Sequence, residues 1–324
     1  MNATGCPMIT IGMPLFNAED FLEEALDSLL AQSFCDFKLI ISDNASADGT
    51  EHICRRYAKA DSRITYTRQA SNQGGIANFC SVLKAADTPY FMWAAGDDIW
   101  APEYIEMCIA NLQADPELGL VASIVVPFID DVYSSPRHEI VSLPSNRPWE
   151  TRYNYLTQPE EFGKANLIYG VYRTELIKKV ALGTKIWASW GADMNLVYSC
   201  LCVASLHVIN RPLFFKRQTR SDVITAARAQ LSKAEHEQIA WRELCAAWEN
   251  YLPYYWNYLV IDARDKRAFP VHRLYLVGCS FALACQKLWP PLQSYLRMRC
   301  RHSLEKIKGY AARIHHGHLR NQGK

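Results

Sequence analysis

A repeated change of hydrophobic period over about the first hundred residues limits what this chain can fold into. Short apolar runs that suit buried strands (Met8–Met13, Phe37–Ser42, Arg63–Thr67 and Tyr90–Ala95) alternate with segments whose apolar residues recur at helical spacing. After the first run, which Pro14 closes, Phe21, Leu22, Ala25, Leu29 and Leu30 make one apolar face. Glu19 and Asp20 fall in that helix's first turn, with Asn17 placed to cap it. Asp48-Gly49-Thr50 opens a second helix to about Ala60, and a turn at Asn72–Gly75 precedes a third over Ile76–Ala86. Alternation of this kind with short connections predicts an α/β fold, a mostly parallel sheet with helices on both faces. Farther on, Pro102–Asn111, Arg173–Ala181 and Gly191–Cys202 read as helices, Gly119–Val126 and Leu206–Phe215 as strands, and residues 131–150 as a loop. Residues 1–225 form the expected α/β domain, and residues 226–324 a helical C-terminal extension with a basic tail.

In parallel sheets ligands bind beyond the C-terminal strand ends. Pro14–Asn17, Asp43 and Asp97-Asp98 all fall there. The Asp97-Asp98 pair follows the apolar run Phe91–Ala95, so the two carboxylates repel each other and lose hydration together. A compensating cation is expected, and hard oxygen ligands suit Mn²⁺ or Mg²⁺ shared with substrate phosphates. Taken alone the pair could also be a polar turn or a cap for the next helix; its place after a buried strand favours the cation. Asp43 can accept the N3–H of uracil or thymine, against the alternative of an Asx-turn, to which Asp48 and Gly49 are assigned. Phe16 either stacks on the base or belongs to the core.

These pieces occur in a recognisable order: Pro14-Leu-Phe-Asn17; Ile41-Ser-Asp-Asn-Ala-Ser46 with Asp48-Gly-Thr50; Asn72-x-Gly74 with Asn78; and Trp93-Ala-Ala-Gly-Asp-Asp98 with Pro102. The set resembles the family 2 glycosyltransferases over about residues 8 to 220. The resemblance implies the GT-A fold of nucleotide-diphospho-sugar transferases, a UDP- or dTDP-sugar donor and a divalent cation. It implies donor-nucleotide contacts from Pro14, Phe16, Asn17, Asp43, Asn72 and Gly74, with Asp97 near the ribose and Asp98 as direct metal ligand. Asn166-Leu-Ile-Tyr-Gly170 resembles a loop of the acceptor pocket, which places Tyr169 and Trp190 in the acceptor region. Asp193, in Trp190-Gly-Ala-Asp193, stands where the family places its catalytic carboxylate, the base that takes the acceptor hydroxyl proton; a first-turn helix acid is its alternative. Among Lys216, Arg217 and Arg220 the resemblance implies a basic residue closing over the diphosphate, with Arg220 favoured; a solvated basic loop is the alternative. The chain departs from the family at Phe16, where many relatives have tyrosine, and at Ala192-Asp193, where Glu-Asp is common.

The implied reaction is sugar transfer, with inversion, to a hydroxyl of a glycan or lipid-linked acceptor in cell-surface polysaccharide synthesis. A retaining transferase on the same fold and a non-catalytic sugar-nucleotide-binding subunit are the alternatives. A sugar-1-phosphate nucleotidyltransferase would need a Gly-rich basic loop after the first strand, where this chain has Pro14-Leu-Phe-Asn17. A net charge of +2 gives no reason to expect nucleic acid. Eleven cysteines without a CxxC pair suit neither a zinc ribbon nor a disulfide framework, and reduced thiols imply a cytoplasmic chain. No signal peptide and no spanning run of about 18 apolar residues is expected. From Arg297 onward eight Lys or Arg face one acid, Glu305, which suits either a peripheral contact with the inner face of the plasma membrane or a packed helix with a solvated cationic tail.

Overall fold

The computed structural model describes residues 7–128, 148–158, 164–182 and 191–218, together with Phe281 and Cys285. The expected loop at 131–150 lies almost wholly outside these residues, and so does the 226–324 extension apart from those two positions. Among the described residues eight strands form one sheet in the order β3-β2-β1-β4-β7-β6-β8-β5. In chain order they are β1 (Ile9–Leu15), β2 (Phe37–Asp43), β3 (Ile64–Arg68), β4 (Tyr90–Trp93), β5 (Ile99–Trp100), β6 (Leu118–Phe128), β7 (Val171–Arg173) and β8 (Ser205–Arg217). The helices are α1 (Leu22–Leu30), α2 (Thr50–Ala60), α3 (Gly75–Ala85), α4 (Tyr104–Ala114), α5 (Pro148–Thr157), α6 (Thr174–Leu182) and α7 (Ala192–Leu201), with a 3₁₀ helix at Lys164–Tyr169.

The half built from β3, β2, β1 and β4 is parallel throughout. The other half is mixed: β7 runs antiparallel to both β4 and β6, β8 is parallel to β6, and β5 is antiparallel to β8. Strand alternation divides the core. Phe91 and Trp93 face α3, α6 and α7, whereas Tyr90 and Met92 face the side packed by α1, α2 and α4. Gly12 is required where α3 crosses the sheet, since a Cβ there would meet Val82 Cγ2 at 2.8 Å and Phe91 at 2.9 Å.

Two local expectations change. Pro14 does not close β1 but sits within it, opposite Ser42. Pairing with β4 ends at Gly12, so the amide hydrogen that proline lacks has no strand partner to serve on that side. Asn17 does not cap α1, which starts at Leu22 without a side-chain cap. With φ at 49° it turns the chain toward the loop after β2.

Candidate active site

The ends of β1 and β2 are fastened by polar side chains. Asn78 of α3 donates from Nδ2 to the carbonyls of Leu15 (3.2 Å) and Ser42 (2.9 Å) and accepts from Ser42 Oγ (2.6 Å). Asn17 donates its backbone N–H to Ser46 Oγ and accepts from Ala47 N, both at 2.9 Å. Glu19 N donates to Asp48, whose other oxygen accepts from Thr50 N, the turn assigned to Asp48. Asn44 donates to Asn72 Oδ1 and accepts from Gln73 N, while Gly74 N also donates to Asn72, each at 2.8 Å. Asn72 and Gly74 thereby form the rim that leads into α3, and Phe16, half exposed, stands at the end of β1.

Asp43 has no exposed surface. Oδ1 accepts from Ser46 N (2.9 Å) and Ser46 Oγ (2.6 Å), and Oδ2 from the Tyr66 hydroxyl (2.8 Å). Through these bonds its carboxylate organises the loop that Asn17 joins.

Asp97 and Asp98 differ sharply. The Asp97 side chain is 40% exposed, whereas Asp98 is completely buried. Lys216 Nζ lies 3.0 and 3.1 Å from the two Asp98 oxygens, and Arg217 N donates to Oδ1 at 3.0 Å. Burial pushes the Asp98 carboxyl up to about 6, against the opposing pull of Lys216 and with the Asp97 charge adding to the rise. The expected order, Asp98 open to a metal and Asp97 behind it, is reversed in accessibility. The cause is β8, whose Lys216 and Arg217 close over Asp98. Among the described residues no three His, Cys, Asp or Glu side chains converge as a metal cage. One open carboxylate is still the kind of protein ligand that Mg²⁺ or Mn²⁺ shares with substrate phosphates, so the residues present fit such a cation at Asp97.

Tyr169 brings the second half of the site to this carboxylate pair. Burial raises its phenol well above the ordinary value, and the charges of Asp98, Asp97 and Asp193 each add to the rise. Its ring lies 5.7 Å from Lys216 Nζ, and its carbonyl accepts from the Tyr104 hydroxyl at 2.9 Å. Asp193 occupies the first turn of α7 behind Gly191, a left-handed residue with φ of 73°. Burial raises the Asp193 pKa, and the hydrogen bond from Met194 N to Oδ1 (2.8 Å) opposes the rise. Trp190 and Arg220 lie outside the described residues.

A row of polar side chains on α1 and just beyond its end was not anticipated. Glu24 Oε2 accepts from Arg217 at 2.6 Å, Ser28 Oγ accepts from Trp100 N at 3.3 Å, and Gln32 donates to the Ala101 carbonyl at 2.8 Å and accepts from Ile105 N at 3.1 Å. Glu24 and Ser28 are one turn apart on α1 and Gln32 lies just past its C-terminal end, four residues on, so all three reach the chain running on from Asp97-Asp98. That spacing was visible in the sequence and would have marked them.

The family model of Glycosyl transferase family 2 matches residues 10–179. The uncharacterized glycosyltransferase EpsJ of Bacillus subtilis is 37% identical over 179 residues, covering 50% of this chain and 51% of EpsJ. TuaG of the same organism, which its name assigns to teichuronic acid biosynthesis, is 32% identical over 100 residues, 31% of this chain and 40% of TuaG. The chain thus spans about half or less of the length of these relatives. Among solved structures, residues 1–349 of S. aureus TarS in complex with UDP-GlcNAc align with a TM-score of 0.57 at 14% identity, covering 90% of this chain and 81% of that one. The mannosyltransferase PcManGT from Pyrobaculum calidifontis, in complex with GDP-Man and Mn²⁺, aligns with a TM-score of 0.51 at 17% identity, covering 96% and 81%. At such identities the structural likeness is one of fold, and the fold is GT-A. With more than half of its sequence matched, β1 through α6 included, the chain belongs to glycosyl transferase family 2.

Proposed function

We propose that this glycosyltransferase moves a sugar from a UDP- or dTDP-sugar to a hydroxyl of a glycan or lipid-linked acceptor, with inversion, in cell-surface polysaccharide synthesis. The observation that carries the reading is the contact of the Asp97-Asp98 turn, through Lys216, with the half-buried Tyr169 ring, whose phenol also feels the charge of Asp193. Phosphate binding and proton removal need different carboxylates, and here one set follows β4 and the other opens α7. Names among the relatives and the UDP-GlcNAc bound by TarS support the donor class and the pathway class.

In this reading the nucleotide lies over the ends of β1 and β2, between Phe16 and the Asn72–Gly74 rim, with Pro14 and Asn17 shaping the floor. Asp43 acts on it through the Ser46 loop. Asp97, the exposed carboxylate, holds the divalent cation, which when bound neutralises charge developing on the nucleoside diphosphate leaving group. Asp98 stays behind it as the partner of Lys216. Lys216, a quarter exposed, is placed to turn its ammonium toward the diphosphate, and Arg220 follows on the next segment of chain. Asp193 accepts the proton of the acceptor hydroxyl as its oxygen forms the new glycosidic bond. A raised pKa suits that task, because a more basic carboxylate takes the proton more readily. Tyr169 and Trp190 border the acceptor. The basic residues from Arg297 onward supply peripheral attachment at the cytoplasmic face of the membrane, where a lipid-linked acceptor would be met.

The test is a panel of nucleotide sugars with Mn²⁺, reading binding by calorimetry and hydrolysis by released nucleotide. Binding of a UDP- or dTDP-sugar that needs both Mn²⁺ and Asp97 supports the reading. Failure of every nucleotide sugar to bind the folded protein overturns it.

A further inference from the structure

Arg217 is almost completely buried, with a side chain 3% exposed, and three of its hydrogen bonds end on the Asp97-Asp98 turn or on α1 beside it. Its backbone N–H donates to Asp98 Oδ1 at 3.0 Å. Its Nε donates to the backbone carbonyl of Asp97 at 2.9 Å. The outer nitrogen of the fork donates to Glu24 Oε2 at 2.6 Å, tying the group to α1. Phe21 and Phe128 flank the guanidinium, its central carbon 4.1 and 4.5 Å from their ring centroids. A flat cation between two rings has little freedom to tilt, and the fork fixes the direction of both hydrogen bonds.

We propose that Arg217 is the positioning residue of the donor site, and that the Glu24–Arg217–Asp97 carbonyl chain sets where the Asp97 carboxylate stands. This rests on the proposed role of Asp97 at the cation. The physical argument concerns a turn without regular structure. Ala94, Ala95 and Gly96 lie between β4 and the pair, and no strand ladder fixes the Asp97 peptide. Among the described residues the Asp97 side chain meets only Lys216, at 3.8 Å, so its orientation is inherited from its backbone. Arg217 grips that backbone at its carbonyl and, through Glu24, refers its position to a helix whose apolar face is locked into the core at Leu22, Ala25, Leu26 and Leu29. A lysine could keep the charge in the aromatic cage but could not hold the Asp97 carbonyl and Glu24 from one rigid plane.

The experiment measures Mn²⁺ affinity by electron paramagnetic resonance of the free ion, with UDP present, for wild type, Arg217→Lys and Glu24→Gln, well below each protein's melting temperature. Partners that orient a metal ligand typically matter 10- to 100-fold to metal affinity, so Arg217→Lys is expected to weaken Mn²⁺ binding by about that factor. Glu24→Gln, which keeps a hydrogen-bond acceptor but loses the charge, is expected to weaken it less and in the same direction. A folded Arg217→Lys with wild-type Mn²⁺ affinity overturns the proposal, because a purely structural arginine would change only the melting temperature. Should Arg217→Lys fail to fold, wild-type affinity in Glu24→Gln overturns it equally. If the wild type itself binds no Mn²⁺ with UDP, the cation reading of Asp97 is the part that fails, and the positioning role falls with it.

Discussion

Replacing Asp193 by asparagine separates chemistry from stability, because the two should move in opposite directions. The amide oxygen can still accept the hydrogen bond from Met194 N that Asp193 Oδ1 accepts at 2.8 Å, so the first turn of α7 keeps its geometry. What is lost is the base. General-base catalysis contributes about 10²–10⁴-fold, so the transfer rate should fall by that factor, about 2.7–5.4 kcal/mol of barrier, with donor binding unchanged. The stability arm follows from proton linkage. Burial raises the Asp193 pKa in the folded state, so between the unfolded pKa and the folded one the native protein holds more of the proton, and stability declines as pH rises through that window. Above the folded pKa the wild type carries the full cost of a buried charge, whereas asparagine carries none. Asp193→Asn should therefore melt no lower than wild type at pH 7, and any gap should close as pH falls toward about 3.9, the unfolded aspartate value. The wild-type rate should also fall on the acid side as Asp193 takes up its proton. Transfer assays with the preferred donor and calorimetric melting from pH 4 to 8 read both arms. Near-wild-type kcat in Asp193→Asn would refute the base assignment, and a melting gap that widened toward acid pH would refute the linkage.

The two neighbouring aspartates should give different failures. Asp97→Ala should abolish Mn²⁺-dependent UDP binding in calorimetry with little change in melting temperature, since its side chain is 40% exposed. Asp98→Ala leaves Lys216 and the Arg217 N–H without their buried acceptor and should cost about 3 kcal/mol in urea unfolding. Gly74→Ala should cost about 1–3 kcal/mol although a Cβ there meets nothing within 4 Å, because its φ of 85° and ψ of 154° suit glycine alone. Gly75→Ala, equally unobstructed and at the first position of α3, serves as the control and should be neutral or stabilising in the same titration. Tyr66→Phe removes the 2.8 Å hydrogen bond to buried Asp43 and should cost about 2 kcal/mol by the same measurement.

The parallel half of the sheet was legible because β1, β2 and β4 are largely apolar on both faces and its helices keep one apolar stripe, so the period of the sequence reports the element directly. The antiparallel additions were not. β5 has two residues and β7 three, too short for any period to develop, and each exists only because a neighbouring strand offers it a ladder. Pro14 misled for a related reason. A proline marks the end of a strand only if its missing donor is needed, and that depends on whether the strand alongside has already turned away.

The positions of the site carboxylates could be read from the sequence, but their accessibility could not. Asp43, Asp97 and Asp98 all follow apolar runs at strand ends, and nothing local distinguishes the exposed one from the two sealed ones. The distinction is made by side chains remote in sequence: Tyr66 for Asp43, and Lys216 and Arg217, more than a hundred residues on, for Asp98. Sealing also changes what a carboxylate can do. A buried aspartate whose oxygens are already bonded to a lysine and a backbone amide is costly to strip, so its charge serves to hold the lysine in place. An exposed neighbour keeps its oxygens for a ligand. The pair therefore works as two parts, with Asp98 anchoring the strand that carries Lys216 and Arg217, and Arg217 in turn fixing the peptide that carries Asp97. A substitution at Asp98 should thus act on donor binding only through the order of β8, whereas one at Asp97 should act on it directly. That is why melting and Mn²⁺ affinity have to be measured on the same variants.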